Sequence, residues 1–380
     1  MAAVQQTADR ALAALGSVLD PELRRPITEL GMVTGVSVDD DGAASVGILL
    51  TIAGCPLHET ITADVERALA AVDGVSSVRV DLGVMNAEQR AALKEMLRGP
   101  GGTKDIPFNR PGSLTRVYAV ASGKGGVGKS SVTVNLAAAM AASGLRVGIV
   151  DADVHGFSIP GLLGITQPPT RVDEMILPPV AYGIKTISIG MFVSGNAPVA
   201  WRGPMLHRAL EQFLTDVYFG DLDVLFLDLP PGTGDIAISV AQLLPQSEIL
   251  VITTPQAAAA DVAERAGSVA SQTGQSVAGV IENMSWLQLP TGERMELFGS
   301  GGGSIVAKRL TEALGKEIPL LGSIPLDVEL RTGGDAGLPV VLTESASAEG
   351  SAGAELRRIA AALARRPRGL SGLKLDVTPR

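Results

Sequence analysis

Between Gly123 and Ser130 the chain reads Gly-Lys-Gly-Gly-Val-Gly-Lys-Ser, an order with an obvious chemical use. Gly123, Gly128, Lys129 and Ser130 satisfy the pattern G-x-x-x-x-G-K-[ST]. Glycines allow successive backbone N–H groups to turn inward as a nest for anionic oxygens, and the helix that follows adds the positive end of its dipole. Lys129 is expected to reach the β- and γ-phosphates of a nucleoside triphosphate, and the Ser130 hydroxyl to ligate Mg²⁺. The same residues spell a rival motif. Gly123, Gly125 and Gly128 also form G-x-G-x-x-G, and Asp151 stands at the next strand end, as in a dinucleotide fold. Lys129 and Ser130 oppose that reading, because a dehydrogenase needs only close helix packing there. A second acidic strand end, Asp228, opposes it as well.

Two short apolar runs end in carboxylates. Val147–Val150 leads into Asp151-Ala-Asp153, and Val224–Leu227 into Asp228-Leu-Pro-Pro-Gly232. In a parallel sheet both ends share an edge with the phosphate loop. Asp228 is expected to hold Mg²⁺ through a water, Asp153 to orient the attacking water, and Gly232 to sense the γ-phosphate.

These side chains need strands behind them and helices beside them. Apolar runs are predicted as strands at Val117–Ala121, Arg146–Val150, Lys185–Ile189, Val224–Leu227, Ile249–Thr253, Val277–Ile281 and Leu320–Ile324, separated by longer helical stretches. Runs without polar alternation suit a parallel sheet buried on both faces. The expectation for residues 115–365 is therefore an α/β, doubly wound, mainly parallel P-loop domain. Residues 1–98 read as a small α+β domain: a helix through Leu12, Leu15 and Val18, strands at Val33–Val38, Ser45–Thr51 and Val78–Leu82, and an amphipathic helix through Ile61, Val65, Leu69 and Val72. Residues 99–114, GPGGTKDIPFNRPGSL, read as a linker, and 366–380 as a flexible basic tail.

Composition narrows the function class. The 380 residues exceed one ordinary core. A net charge of −9 argues against nucleic acid or anionic membrane as the main partner. The single cysteine, Cys55, excludes an internal disulfide, and no apolar run approaches the ~20 residues of a membrane helix. A cytoplasmic protein is expected.

The blocks around these residues are more specific than a generic P-loop. KGGVGKSS, with its extra Lys124, resembles the deviant Walker A motif of the MinD/ParA class of ATPases. DADVHGFSIPGLLG, WRGPM, DLPPGTGD, TTPQ, ENMS, FGSGGG and IPLD resemble the Mrp/ApbC iron–sulfur carrier ATPases within it. DPELRRPITELGMV and LTIAGCPLHETI resemble the small iron–sulfur-assembly domain commonly fused ahead of them. The resemblance implies a nucleotide-sandwich homodimer that delivers clusters to apoprotein clients. It implies that Lys124 reaches the phosphates bound by the partner subunit, that Asn283 recognises adenine, and that Asp153 is the switch carboxylate. The loop from Gly123 through Lys124, Gly125, Gly126, Val127, Gly128, Lys129 and Ser130 to Ser131 would line the nucleotide.

The match fails at one place. Relatives that carry clusters usually have C-x-x-C shortly after ENMS, whereas this chain has Trp286-Leu-Gln-Leu-Pro-Thr-Gly-Glu-Arg294. Thiolates are the normal cluster ligands. Cys55 is the only thiol, placed before a helix start that would lower its pKa, with His58 three residues on. His155 and His207 have no partner at metal-ligand spacing. Two hypotheses stay open: an ATP-dependent cluster carrier or assembly factor, and a cluster-free, ATP-switched adaptor. A membrane-positioning ATPase would need an amphipathic terminal helix, but Glu355–Leu363 lacks aromatic anchors and is expected to pack on the sheet.

Overall fold

The computed structural model describes residues 2–52, 55, 57–98, 105–110, 112–154, 156–192, 203–232, 235–256, 265, 269–289 and 291–366. His155, Trp201 and Arg202, residues 99–104 of the expected linker and 367–380 of the expected tail lie outside them.

The described chain forms two compact units. The first contains α1 (Ala2–Leu15), β1 (Val33–Val38), β2 (Ala43–Leu50), α2 (His58–Ala70), β3 (Ser77–Val84) and α3 (Ala87–Arg98). β1 pairs antiparallel with β2, and β2 parallel with β3. Along β2 the buried residues are Ala44, Val46, Ile48 and Leu50, one face of a pleat. Ile61, Val65 and Leu69, the buried stripe of α2, share a core with Val46, Ile48 and Leu50 of β2 and with Leu15 of α1.

The second unit holds the larger sheet. Its elements begin with β4 (Arg116–Ser122), α4 (Lys129–Ala142), β5 (Val147–Asp151) and the single turn α5 (Ile159–Leu162). The chain then forms a hairpin, β6 (Thr170–Val172) and β7 (Met175–Leu177), before returning as β8 (Val180–Ala181), β9 (Ile184–Ser188), α6 (Gly203–Asp216), β10 (Val224–Asp228), α7 (Asp235–Leu243) and β11 (Glu248–Thr253). It continues with β12 (Ser276–Glu282), the short pair β13 (Leu287–Gln288) and β14 (Arg294–Met295), α8 (Gly302–Leu314), β15 (Leu320–Ser323), α9 (Val328–Asp335) and α10 (Ala352–Arg365). The sheet order is β15-β12-β11-β4-β10-β5-β9-β8, parallel throughout except for β8 at the edge. All seven strands expected for this domain lie in it. In β5, β9 and β10 every residue is buried, as helices on both faces require.

Several elements depart from expectation. The hairpin β6–β7 and residues 216–220 group with the first unit, where Val172, Met175 and Leu177 enter its core. A hairpin this short has too few residues to show its period in sequence. Part of the expected linker is docked: Pro107–Asn109 forms a 3₁₀ turn with Phe108 buried, and the Asn109 amide donates to the Leu243 carbonyl. Arg366, expected in the tail, pairs with Glu248 at 2.9 Å and donates to the Ala278 carbonyl at 2.8 Å. α10 buries Leu356, Ile359 and Leu363, packing mainly on α4 and also reaching β15. Among the described residues no helix is long and apolar enough to cross a membrane.

Candidate functional site

β4 rises from the centre of the sheet, and its carboxyl end opens directly into the glycine loop. Gly126 and Gly128 both have left-handed backbones, with φ of 78° and 79°. At Gly128 the requirement is double. It is the N-cap of α4, and a β-carbon there would fall 2.3 Å from Asn283 Nδ2. No side chain among the described residues caps the α4 N-terminus, so its first amides are left for an anion.

The side chains at this end converge on one buried carboxylate. Asp228 closes β10 with no exposure, one strand over from β4. Lys129 Nζ lies 2.6 Å from its Oδ2, and the Ser130 hydroxyl donates to the same oxygen at 2.6 Å. Thr133, one turn further along α4, donates to Oδ1 at 2.9 Å. The Ser130 hydroxyl and the Asp228 carboxylate are oxygen donors side by side, the type Mg²⁺ selects, so the residues present fit that ion.

On the other side of β10, β5 ends at Asp151 in register with Asp228. Asp151 is fully buried. Burial first, and then the Asp228 charge, push its carboxyl up to about 7, against bonds from Ser188 and the Asp153 amide. Asp153 is 7% exposed, and one of its carboxylate oxygens accepts from the Gly156 amide at 3.0 Å.

The structure therefore brings Lys129, Ser130, Asp228 and Asp153 to the edge that sequence reasoning assigned them. Lys124 is on the same loop, half-buried, with its ammonium donating to the Gln256 side chain. The Gly232 amide donates to the Ser122 carbonyl at 2.8 Å, so the group expected to sense the γ-phosphate is occupied within the chain. Asn283 is buried after β12. Its Nδ2 donates to the Val127 carbonyl at 2.9 Å, while its buried Oδ1 has no partner among the described residues. A cleft of about 230 Å³ runs past it, lined by Gly128, Ser131, Met284, Leu326, Asp327 and Arg331 among others. Sequence reasoning missed Gln256, Thr133, Arg331 and the burial of Asp151. Asp327 stood inside the quoted IPLD block without a role.

Cys55 is a different case. It is 4% exposed within the first unit's core, and burial above all pushes its thiol up. The backbone of Leu57 opposes this, and the smaller contributions of the Glu22 and Asp20 charges add to it. The expected lowering by the helix is overturned, because desolvation outweighs it. His58 Nδ1 sits 2.8 Å from the Cys55 carbonyl oxygen, a backbone contact. After ENMS, β13 and β14 pair in a hairpin where the Arg294 guanidinium stacks over the Trp286 ring at 4.4 Å. Among the described residues no cluster of three or more His, Cys, Asp or Glu side chains is arranged for a metal ion.

Comparison with known proteins agrees with this geometry. Residues 113–364 match the NUBPL iron-transfer P-loop NTPases, and residues 8–82 match an iron-sulfur cluster assembly protein family. The iron-sulfur cluster carrier protein of Mycobacterium tuberculosis is 62% identical over 366 residues, spanning 96% of this chain and 95% of that protein. Its namesake in Bacillus subtilis is 41% identical over 314 residues, 82% of this chain and 86% of the relative. Among solved structures, the ADP complex of a nucleotide-binding protein from Archaeoglobus fulgidus aligns with a TM-score of 0.50 at 37% identity, over 59% of this chain and 87% of that one. A glycine cradle, a buried lysine–aspartate pair and relatives this similar along nearly the whole length lead to one placement: the chain belongs to the family of NUBPL iron-transfer P-loop NTPases.

Proposed function

We propose that this chain is an ATP-hydrolysing iron–sulfur cluster carrier or assembly factor that works as a nucleotide-sandwich homodimer and passes clusters to apoproteins. The observation that carries the ATPase part is the convergence of Lys129 and Ser130 on buried Asp228 beside an uncapped helix N-terminus.

The loop amides from Gly123 to Ser131 receive the phosphates. Lys129 exchanges its 2.6 Å contact with Asp228 for the β- and γ-phosphate oxygens. Ser130 and, through a water, Asp228 would hold Mg²⁺, which neutralises charge on the transferred phosphoryl group. Asn283 offers its unpartnered Oδ1 to the adenine amino group. Asp153 orients the attacking water. Lys124 of each subunit leaves Gln256 and adds positive charge to the partner's phosphates, so turnover waits for dimerisation and basal rates are slow. The replacement Lys124→Ala is expected to keep nucleotide affinity and slow hydrolysis by roughly 10³-fold. Equal steady-state rates for variant and wild type would contradict the shared site.

The family name carries the cargo part of the reading, and the hairpin after ENMS supports a second one. Leu289 stands where the first thiol of the usual pair would be, so an adaptor that switches with ATP and holds no cluster fits that region. Anaerobic reconstitution with iron and sulfide separates the two. A visible charge-transfer band in the repurified chain supports the carrier, with the cluster held through Cys55 or partner thiols. A colourless chain supports the adaptor.

A further inference from the structure

Among the described residues, Asp151 is the one fully buried carboxyl at this edge left without a task by the proposed function. The described chain gives it three donors. Its Oδ1 accepts from the Asp153 amide at 3.2 Å, and its Oδ2 accepts from the Ile159 amide at 3.3 Å and the Ser188 hydroxyl at 3.0 Å. The first two lie at either end of the loop that bears Asp153. The third belongs to β9, the neighbouring strand, where Ser188 pairs in register with Asp151.

Ser188 continues the connection. Its oxygen accepts from the Gly190 amide at 3.2 Å, at the start of the next turn. Gly190 has no β-carbon, and the ring of Phe157 uses the space: a β-carbon there would fall 2.3 Å from the ring. The loop after β5 and the turn after β9 are thus joined at two levels, a carboxyl–hydroxyl bond below and a ring on bare backbone above. Ser188 is fully buried beside Ile187 and Ile189. A hydroxyl in such a place costs stability unless it is bonded, and this one meets both Asp151 and the Gly190 amide.

We propose that Ser188 and Asp151 are positioning residues for hydrolysis: their contact holds the Asp153 loop against β9 and sets the direction of the Asp153 carboxylate. This rests on the role given to Asp153 above. Among the described residues the hydrogen bonds of Asp151 and Ser188 run to the loop after β5 and the turn after β9 and not to the phosphate loop, so nucleotide affinity is expected to rest on Lys129 and the glycine nest. A loosened loop misplaces Asp153 by a fraction of an ångström to an ångström, which is enough to slow a step that depends on water orientation.

The test uses the full-length chain, steady-state ATP turnover and a fluorescent-ADP titration with Mg²⁺. Ser188→Ala is expected to lower kcat roughly 10- to 100-fold while nucleotide affinity stays within about twofold. Ser188→Thr keeps the hydroxyl and restores most of kcat. Gly190→Ala pushes the Phe157 ring away and gives the same selective loss of kcat; it decides the matter if Ser188→Ala does not fold. Wild-type kcat in Ser188→Ala, equal impairment of the Ala and Thr variants, or affinity falling as far as kcat each overturns the proposal. Asp153→Ala is the reference. If it also turns over normally, the assignment of Asp153 fails; if it is inactive while Ser188→Ala is normal, only the positioning role fails.

Discussion

Two helices in this chain start next to a reactive side chain, and their surroundings give those side chains opposite characters. α4 begins at left-handed Gly128, with Lys129 and Ser130 in its first turn. α2 begins after Leu57, with Cys55 just ahead of it and His58 in its first turn. Among the described residues no side chain caps either N-terminus. A helix dipole contributes about 0.3–1 kcal/mol to a nearby charge, up to about 2 when partly buried. Burial of an ionisable group shifts its equilibrium by more than that. At α4 the nearest charges are of both signs, Lys129 against Asp228, so the polar cluster is balanced and can trade partners with an anion. At Cys55 the neighbouring charges are the carboxylates of Glu22 and Asp20, and the thiol sits in an apolar core. There the dipole loses. A helix start is chemically useful only where its neighbours agree with it.

That contrast can be broken most easily at its larger end. Lys129→Ala should weaken ATP binding by roughly a hundredfold or more, since the β- and γ-phosphates would lose their ammonium partner and the buried Asp228 carboxylate its counter-charge. Wild-type affinity in an equilibrium titration would refute the phosphate loop itself. Cys55→Ala should leave the same titration unchanged.

Gly128→Ala tests the geometry without touching a charge. With φ at 79° and Asn283 Nδ2 in the way, the methyl should cost about 1–3 kcal/mol of stability and shift the Val127–Asn283 contact. Thermal unfolding and adenine-nucleotide affinity should both fall. A variant as stable as wild type would mean the loop relaxes freely there.

The smallest expected effect concerns the thiol. Its pKa in the folded chain is raised above 9.0, so at neutral pH the reactive thiolate is scarcer than in the unfolded chain. Iodoacetamide labelling of native protein, followed by mass spectrometry, should be slow at pH 7 and quicken only in alkaline solution. Unfolded chain should label fast near pH 9. The linkage has a sign. Above pH 9.0 the unfolded thiol ionises first while the folded one keeps its proton, so this group contributes a loss of stability as pH rises through that window. Rapid native labelling at pH 7 would remove the distinction between the two helix starts and favour Cys55 over partner thiols as a cluster ligand.

Much of this was legible before any coordinates. The apolar runs of the large sheet were readable because central parallel strands carry no polar alternation, and the glycine loop because its backbone conformation admits few residue types. The strand-end acids followed from where those runs stop. The hairpin Thr170–Leu177 was not legible, since three-residue strands show no period. Nor was the docked turn around Phe108, where proline and glycine composition suggested a free linker and one buried ring decided otherwise.

Sequence alone determined the family, the strands of the large sheet and the residues proposed to meet a triphosphate, because those depend on local backbone limits and short-range spacing. Only the tertiary structure decided which groups share a proton, a partner or a desolvated pocket. Asp151 and Ser188 are 37 residues apart and Lys124 and Gln256 are 132 apart, yet each pair touches. Cys55 lost its expected acidity to burial in the first unit's core, with the charges of Glu22 and Asp20 adding to it. Electrostatics and burial act through space, and the distances through which they act are set by how the whole chain packs.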